Sequence, residues 1–263
     1  MTDAVHERGG VIFAQLMHTG RIGHPSLLPD GLIPVGPSAV AAKGQVFTPD
    51  PTGPDTLNLV EDGTTDAIAI QADVSDPEQT GRLVDQVVER YGKLDILVSN
   101  AGIEHFGRLD EITPEDFDRV FSVNTRGQLF AVQHAARHLP DGGRIVLTSS
   151  VSAKRAVFHH TLYAASKGAV NSMVLNLSPE LGARGITINA IAPGGTVTDM
   201  ANTHALSYKH PLLDVPLDVW EKMHGALGRL ARPEESAAVT AFLASDDASY
   251  ITGRVIEADG GFF

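Results

Sequence analysis

Short apolar runs alternate with segments of helical periodicity from about residue 66 to the end of the chain. Short apolar runs bounded by turn residues predict buried strands, and strands that alternate with helices are typical of a parallel α/β sheet. We therefore predict an α/β fold in which a doubly wound parallel sheet carries helices on both faces. The predicted strands are residues 67–72, 94–98, 144–148, 186–191 and 255–258.

Four helices are predicted between these strands. Three of them begin at a proline that follows Asp76, Thr113 or Arg232, with acidic residues next, which is a typical start for a helix. The first helix should bury its apolar residues at positions 83, 84, 87 and 88. The second should run toward Leu139, the third, which carries Tyr163, to about residue 181, and the fourth to about residue 244.

Residues 1–65 have a different pattern. Prolines and glycines are frequent between residues 20 and 54, and no long amphipathic helix is evident. The one convincing strand is residues 11–16. We treat residues 1–65 as an atypical N-terminal segment and residues 66–263 as the catalytic domain.

Composition narrows the function classes. The chain has 263 residues, and its formal charge of −12 argues against a nucleic-acid or anionic membrane surface as partner. Cysteine is absent, which excludes disulfides and thiol nucleophiles. The first residues do not form a secretory signal, and no run reaches the ~18 apolar residues of a membrane helix. We expect a cytoplasmic protein.

The chain has 11 histidines, a residue type that commonly binds metal ions. We interpret none of them as a helical pair with a nearby carboxylate, the pattern that would indicate a metal site. We therefore predict no catalytic metal.

Tyr163 and Lys167 stand four residues apart, and Ser150 lies thirteen positions before Tyr163. On a helix this spacing places phenol and ammonium on one face. Because a nearby cation favours the phenolate, we expect Lys167 to lower the pKa of Tyr163 toward neutrality. Such a tyrosine exchanges protons at physiological pH, and a serine hydroxyl can hold a substrate oxygen. A surface pair on an amphipathic helix would have the same spacing, so the surrounding residues decide.

Further motifs follow one another in a set order. They are Ala72-Asp73-Val74, Asn100-Ala101-Gly102, Asn124, Ser150, Tyr163 with Lys167, and Pro193-Gly194. Their order and spacing resemble the short-chain dehydrogenase/reductase family from about residue 66 onward, and residues 193–200 and 253–261 most resemble fungal polyhydroxynaphthalene and versicolorin-type reductases. The resemblance implies a Rossmann-like fold and NAD(P)H-dependent reduction of a carbonyl.

The resemblance implies four catalytic residues. Tyr163 would be the general acid that protonates the carbonyl oxygen, and Lys167 would lower its pKa and bind the nicotinamide ribose. Ser150 would orient the carbonyl; Ser149 competes for this role, and the thirteen-residue offset favours Ser150. Asn124 would hold a water that links Lys167 to solvent. Taken alone, Asn124 is explained equally well as a helix residue whose side chain bonds to its own helix.

The resemblance also implies a coenzyme site. Asp73 would accept a hydrogen bond from the adenine amino group, although an aspartate after a strand also caps turns. The small residues at 100–102 would let the backbone approach the adenosine ribose. The implied coenzyme contacts are Asp73, Val74, Asn100, Ala101, Gly102, Tyr163, Lys167, Pro193, Gly194, Thr196 and Thr198.

Aromatic and polar residues between 200 and 220 are candidates for a substrate pocket. For an aromatic polyketide they would stack on rings or bond to hydroxyl groups. Ordinary packing of a mobile lid explains each of them equally well. The substrate candidates are Ser150, Met200, His204, Tyr208 and Trp220, with His159 and His160 opposite them.

The N-terminal segment departs from this resemblance. A complete family member begins with a strand and a Thr-Gly-x3-Gly-x-Gly loop that brings backbone N–H groups to the coenzyme pyrophosphate. No such glycine triplet occurs before residue 66. Residues 9–49 instead resemble a fragment of the old yellow enzyme family, in which the position of Gln15 contacts flavin mononucleotide. Because the other flavin ligands are missing, we expect no flavin and interpret the chain as a fusion joined near residues 50–65.

Two arrangements of this segment are possible. Residues 11–16 could take the vacant first-strand position of the sheet, in place of the first βαβ unit, or residues 1–60 could be loosely attached and leave the sheet with an exposed edge. We favour the first arrangement.

Three functions remain open. The first is an NAD(P)H-dependent reductase of a cyclic or aromatic polyketide-type ketone, with NADP favoured and NAD possible. The second is a degenerate, non-redox protein that binds a polyketide-like ligand or a partner subunit. The third is a flavin ene-reductase. The family resemblance further implies a homodimer or homotetramer assembled through the long helix and the Tyr163 helix.

Overall fold

Five parallel strands form the central sheet. The structure is a computed structural model that describes residues 12–15, 56–57, 69–198, 200, 216, 219 and 225–262. Its strands are β1 (Ile12–Gln15), β2 (Thr56–Leu57), β3 (Ala69–Ile70), β4 (Ile96–Ser99), β5 (Arg144–Thr148), β6 (Thr187–Pro193) and β7 (Arg254–Ala258). The five-stranded sheet has the order β1-β4-β5-β6-β7.

The first-strand position is taken by the N-terminal segment. Ile12 pairs with Ile96, and the parallel register continues to Gln15 opposite Ser99. The backbone groups on this side of β4 therefore have a strand partner, as a buried ladder requires. This is the first of the two arrangements considered from the sequence.

The strand expected at residues 67–72 differs from its prediction. Only Ala69–Ile70 is extended, and it pairs antiparallel with Thr56–Leu57 in a separate two-stranded sheet. Ile70 is half-buried and packs against the main core. An apolar run predicts extended backbone but does not specify its partner, which explains the error.

Three of the five helices in the described residues begin at the prolines that the sequence predicted. The helices are α1 (Pro77–Tyr91), α2 (Pro114–Phe121), α3 (Gln128–Ala136), α4 (Thr161–Gly182) and α5 (Pro233–Ala244). Asp76 caps α1 by accepting hydrogen bonds from the Glu78 and Gln79 amides. Thr113 and Asp116 form a capping box at α2. The predicted continuous helix toward Leu139 is interrupted by a π-helical turn at Ser122–Gly127, between α2 and α3.

Alternate residues of the strands pack on opposite faces of the sheet, because side chains alternate along a strand. On β4, Leu97 joins the cluster that includes side chains of α1, α3 and α4, whereas Ile96 and Val98 join the cluster beside α5. On β5, Ile145 and Val146 divide in the same way. The protein is thus a doubly wound α/β sheet with a core on each face, as the sequence predicted.

Among the residues that the structure describes, none of the helices combines the length and the apolar composition needed to cross a bilayer.

Candidate active site

The carboxyl ends of adjacent parallel strands bring the predicted motifs together. Asn100 follows β4, Ser149 and Ser150 follow β5, and Pro193 ends β6. The carboxyl edge is where open α/β sheets bind ligands. The first turns of α4 bring Tyr163 and Lys167 to the same edge.

Asn124 joins this edge from the π-helical turn. Its Oδ1 accepts from the Ile103 amide at 2.7 Å, and its Nδ2 donates to the Ile103 carbonyl at 2.9 Å. Nδ2 also lies 3.0 Å from Ser166 Oγ on α4. The side chain is fully buried. Asn124 therefore bonds to distant parts of the chain rather than to its own helix, and it fixes the loop after β4 against α4.

Lys167 is a buried cation. Its Nζ donates to the Thr148 carbonyl at 2.8 Å, and its side chain is 2% exposed. A Cβ added at Gly102 would lie only 3.0 Å from Nζ, so the absence of a side chain at Gly102 makes room for the ammonium. Burial lowers the pKa of Lys167 to about 8, against the opposing effect of the Glu104 carboxyl.

Tyr163 and Ser150 face each other at the centre of the site. The Ser150 hydroxyl interacts with the Tyr163 phenol, and both side chains are buried. Burial raises the pKa of Tyr163 well above its usual value, the Glu104 charge raises it further, and the interaction with the Ser150 side chain opposes both. The expected lowering by Lys167 was therefore wrong for this structure. The ammonium lies 5.6 Å from the phenol ring centroid and is itself pushed toward neutrality, so desolvation dominates.

The two serines after β5 have different surroundings. Ser149 Oγ donates to the Lys167 carbonyl at 3.2 Å and lies 2.5 Å from Asn171 Oδ1. Ser150 Oγ accepts from the Ser152 amide at 3.2 Å and is the hydroxyl that contacts Tyr163. Of the two hydroxyls, the geometry places Ser150 next to the phenol.

The residues expected around the adenosine follow β3 and β4 in the chain. Asp73 Oδ1 accepts from the Ser75 amide at 2.9 Å, so this exposed aspartate does cap a turn. The Val74 carbonyl packs against Gly127 of the π-helical turn. Asn100 Oδ1 accepts from Thr148 Oγ1 at 2.9 Å, and Ala101 is buried.

The residues expected around the nicotinamide follow β6. Gly194 packs so closely on Asp259 that an added Cβ would meet it at 2.8 Å. Thr196 Oγ1 donates to the Gly194 carbonyl, and Thr198 Oγ1 to the Thr196 carbonyl. Met200 is half-buried. The other predicted pocket residues, His204, Tyr208 and Trp220, lie outside the described residues.

The sequence reasoning missed the polar residues Gln128 and Glu104, and it assigned His160 to the substrate pocket only. Gln128 bonds through its amide to the Asn124 carbonyl and to both backbone groups of Thr148. Glu104 is buried beside His160, which stacks on Tyr163. The sequence did contain a signal for Glu104, because this acidic residue directly follows the small and apolar residues at 101–103, which are of types that are usually buried.

One histidine pair does have metal-ligand spacing, contrary to our interpretation of the sequence. His134 and His138 are four residues apart, and His138 Nε2 lies 3.2 Å from Asp85 Oδ1. However, α3 ends at Ala136, so the two residues do not share a helix. Within the described part of the chain, no three acidic or histidine side chains are grouped as metal ligands.

The open parallel sheet and the buried serine, tyrosine and lysine at its carboxyl edge define the protein as a Rossmann-like oxidoreductase. Residues 48–263 match the family model described as enoyl-(acyl carrier protein) reductase. The chain belongs to the short-chain dehydrogenase/reductase family, as its motifs predicted.

Similar sequences include fungal reductases. The chain is 45% identical over 211 residues to a versicolorin reductase of Emericella nidulans, covering 79% of this chain and 80% of that protein. It is 42% identical over 215 residues to elsinochrome reductase 1 of Elsinoe fawcettii, with 79% and 80% covered.

Similar structures include a Burkholderia cenocepacia short-chain dehydrogenase in complex with NADP. It is 40% identical with a TM-score of 0.65, and the match covers 73% of this chain and 75% of that one. Another is the landomycin C-6 ketoreductase LanV with bound NADP and rabelomycin. It is 38% identical with a TM-score of 0.62, and 72% of each chain is covered.

Proposed function

We propose that this protein is an NADPH-dependent reductase that converts the carbonyl of a cyclic or aromatic polyketide-type ketone to a hydroxyl group. The observation that carries the proposal is the buried contact between the Ser150 and Tyr163 side chains, with Lys167 one helical turn away. This arrangement offers a carbonyl oxygen two hydroxyl groups in a site of low dielectric constant, where hydrogen bonds are strong.

The protonation state of Tyr163 suits reduction. Because burial and the Glu104 charge raise its pKa, the phenol keeps its proton at neutral pH. A protonated phenol can donate to the oxygen of a carbonyl as negative charge develops there. Ser150 would hold the same oxygen, and Lys167 would stabilise the phenolate that remains. These are the roles we propose for the three residues.

The described residues fit a coenzyme at the carboxyl edge of the sheet. Gly102 has no side chain, and a Cβ there would come within 3.0 Å of the Lys167 ammonium. The small residues at 100–102 would let the adenosine ribose approach the backbone at the end of β4. When bound, the reduced nicotinamide would supply a hydride to the carbonyl carbon. The proposed coenzyme contacts are Asp73, Val74, Asn100, Ala101, Gly102, Tyr163, Lys167, Pro193, Gly194, Thr196 and Thr198.

Comparisons support the coenzyme and the substrate class. The similar structures from Burkholderia cenocepacia and of LanV hold NADP, and LanV also holds rabelomycin. Similar sequences are named as reductases of versicolorin and elsinochrome. We extend both features to this chain: NADP is proposed as the coenzyme, with NAD as the alternative, and Met200, Tyr208 and Trp220 as pocket residues beside Ser150.

The test is NADPH oxidation with a set of hydroxylated tetralones and anthraquinone-type ketones. Tyr163→Phe should reduce kcat by at least about 100-fold, because the proton donor is lost. Tyr250→Phe is the matched control, since the Tyr250 side chain is fully exposed and has no role in the proposed site. Full activity of Tyr163→Phe would disprove the proposal.

A second function has one observation in its favour. The chain lacks the Thr-Gly-x3-Gly-x-Gly loop that would hold the coenzyme pyrophosphate. We therefore keep as the alternative a non-redox protein that binds a polyketide-like ligand or a partner subunit without coenzyme. Calorimetric titration separates the two, since micromolar or tighter NADPH binding rules out the second function.

The N-terminal segment supplies a strand rather than a flavin site in our proposal. We propose that residues 1–65, including the old yellow enzyme-like stretch at 9–49, serve the catalytic domain at 66–263 through β1. The parallel pairing of Ile12–Gln15 with β4 supports this role. Purified protein should show no flavin absorbance; a flavin band would favour the ene-reductase.

Assembly through the long helix and the Tyr163 helix is also proposed. Phe117 on α2, Leu129 on α3 and Leu175 on α4 are large apolar side chains that are 46%, 38% and 61% exposed. Exposed apolar side chains on neighbouring helices are typical of an interface. Light scattering should give the mass of a dimer or tetramer, and Leu175→Glu should shift it toward the monomer.

A further inference from the structure

A buried imidazole lies directly against Tyr163, and a buried carboxyl lies against that imidazole. Glu104 is in the loop after β4, and His160 is the residue that precedes α4. Glu104 Oε1 lies 3.8 Å from His160 Nε2, and the two side chains are 4% and 1% exposed. Removing an ionisable pair from water is costly, so its presence beside the reacting groups points to a use.

Both residues are held in place by backbone contacts. The two hydrogen bonds of Asn124 to Ile103 fix the residue immediately before Glu104. The Gly107 amide donates to the His159 carbonyl at 2.9 Å, which ties the Glu104 loop to the residue before His160. The pair is therefore pre-organised by the same loop that forms the edge of the site.

His160 orients the phenol ring of Tyr163 by stacking. The imidazole lies between the Phe106 ring, at a centroid distance of 4.3 Å and an interplanar angle of 5°, and the Tyr163 ring, at 4.4 Å and 14°. Stacked rings at such distances restrict each other's rotation. The ring of Tyr163 is thus packed against His160, while the Lys167 ammonium lies 5.6 Å from its centroid.

Three titratable groups lie around Tyr163, and the charge of one of them, Glu104, acts on the phenol. Of the charged or titratable groups described around Tyr163, Lys167 belongs to α4, His160 to its N-terminal end, and Glu104 to the loop after β4. The Glu104 carboxylate raises the pKa of Tyr163 and also that of Lys167. Burial raises the pKa of Glu104 itself to about 8, so its charge develops near neutral pH.

We propose that Glu104 and His160 are positioning residues for Tyr163, in which the Glu104 carboxyl holds the imidazole and the imidazole fixes the phenol ring toward Ser150. This proposal rests on the proposed carbonyl reduction and adds two residues to it. Once ionised, Glu104 also adds its charge to the burial that keeps the proton on the Tyr163 phenol. The site is thereby biased toward proton donation.

Spectroscopic titration of the full chain without coenzyme tests the electrostatic half. Phenolate absorbance is followed with pH, and the Tyr163 signal is the difference between each protein and its Tyr163→Phe counterpart. Glu104→Gln and Glu104→Leu should both shift this transition to lower pH, because a negative charge is lost. Glu104→Asp should restore most of the wild-type value, and Glu180→Gln, an exposed carboxylate on α4, should leave it unchanged.

The positioning of the Tyr163 ring by His160 is tested by steady-state kinetics of ketone reduction. His160→Phe keeps a ring between Phe106 and Tyr163 and should retain most of kcat, whereas His160→Ala should lose about tenfold or more in kcat with a smaller change in KM. An unshifted phenolate transition in both neutral Glu104 variants would overturn the electrostatic role. Equal kcat in His160→Ala and wild type would overturn the positioning role. If wild type oxidises no NADPH, the proposed function fails, and the spectroscopic titration still decides the role of Glu104.

Discussion

Asn124 and Ile103 form a two-way pair of hydrogen bonds, at 2.7 Å and 2.9 Å, between a helix side chain and the backbone of the loop after β4. The same amide reaches Ser166 on α4. The Asn124 side chain thus fixes the loop that carries Gly102 and Glu104 against the helix that carries Tyr163 and Lys167.

Loss of the Asn124 side-chain amide should lower the stability of the protein. Asn124→Ala leaves the buried Ile103 amide without its partner, and unsatisfied buried groups cost about 1–3 kcal/mol each. We expect the free energy of unfolding to fall by ~3 kcal/mol in urea titrations. Asn176→Ala is the control, because this exposed asparagine bonds only within α4 and should change stability by less than about 0.5 kcal/mol. Equal losses in both variants would contradict the linking role of Asn124.

A side chain at Gly102 should disturb the ammonium of Lys167. The added Cβ of Gly102→Ala would lie 3.0 Å from Lys167 Nζ and 3.3 Å from Asn124 Oδ1. We expect kcat for ketone reduction to fall by about tenfold or more, because small displacements of catalytic groups are costly. Gly182→Ala, at the end of α4 with open space around the new Cβ, should leave kcat within twofold, roughly the error of the assay. Steady-state kinetics of both variants decides the point.

The adjacent serines should separate chemistry from stability. Ser150→Ala removes the hydroxyl that contacts Tyr163 and should reduce kcat by about 100-fold. Ser149→Ala removes the hydrogen bonds to Lys167 and Asn171 and should cost ~1 kcal/mol of stability while keeping most of kcat. The opposite assignment of the two effects would make Ser149 the carbonyl ligand.

The stability of the protein should depend on pH through Glu104. Its folded-state pKa is raised to about 8 from 4.5, so between these values the folded chain holds a proton that the unfolded chain has lost. Stability contributed by this proton decreases as pH rises through this window. Urea titrations should therefore show Glu104→Gln gaining stability relative to wild type between about pH 5 and pH 8, on the order of 2 kcal/mol. Glu180→Gln should show no such trend; a flat difference for Glu104→Gln would mean that the carboxyl is not desolvated.

Strand β1 should protect β4 from hydrogen exchange. Ile12–Gln15 pairs with Ile96–Ser99 along the full length of β4. Deletion of residues 1–18 should leave that side of β4 exposed and speed the exchange of its amides, with α5 amides as the internal reference. Unchanged exchange at residues 96–99 would show that β1 is dispensable for the sheet.

Local patterns predicted most of the α/β architecture. Proline and acidic residues after Asp76, Thr113 and Arg232 placed three helix starts, because capping depends on neighbouring residues only. Residues 67–72 were assigned to the sheet, yet Ala69–Ile70 pairs with Thr56–Leu57 instead, since strand partners are chosen by long-range contacts. The π-helical turn around Asn124 gave no sequence signal either.

The sequence by itself correctly predicted four of the five sheet strands expected after residue 66, because apolar runs follow strand periodicity, and its motifs predicted the family and, through that resemblance, the Ser150, Tyr163 and Lys167 set. Only the tertiary structure decided the environment of that set. It placed His160 against Tyr163 and Glu104 against His160, and it buried Lys167 among the backbone groups of Thr148 and Gly102. Burial, which no local pattern encodes, reversed the expected direction of the Tyr163 pKa, since desolvation of the phenolate outweighs a partly neutral lysine.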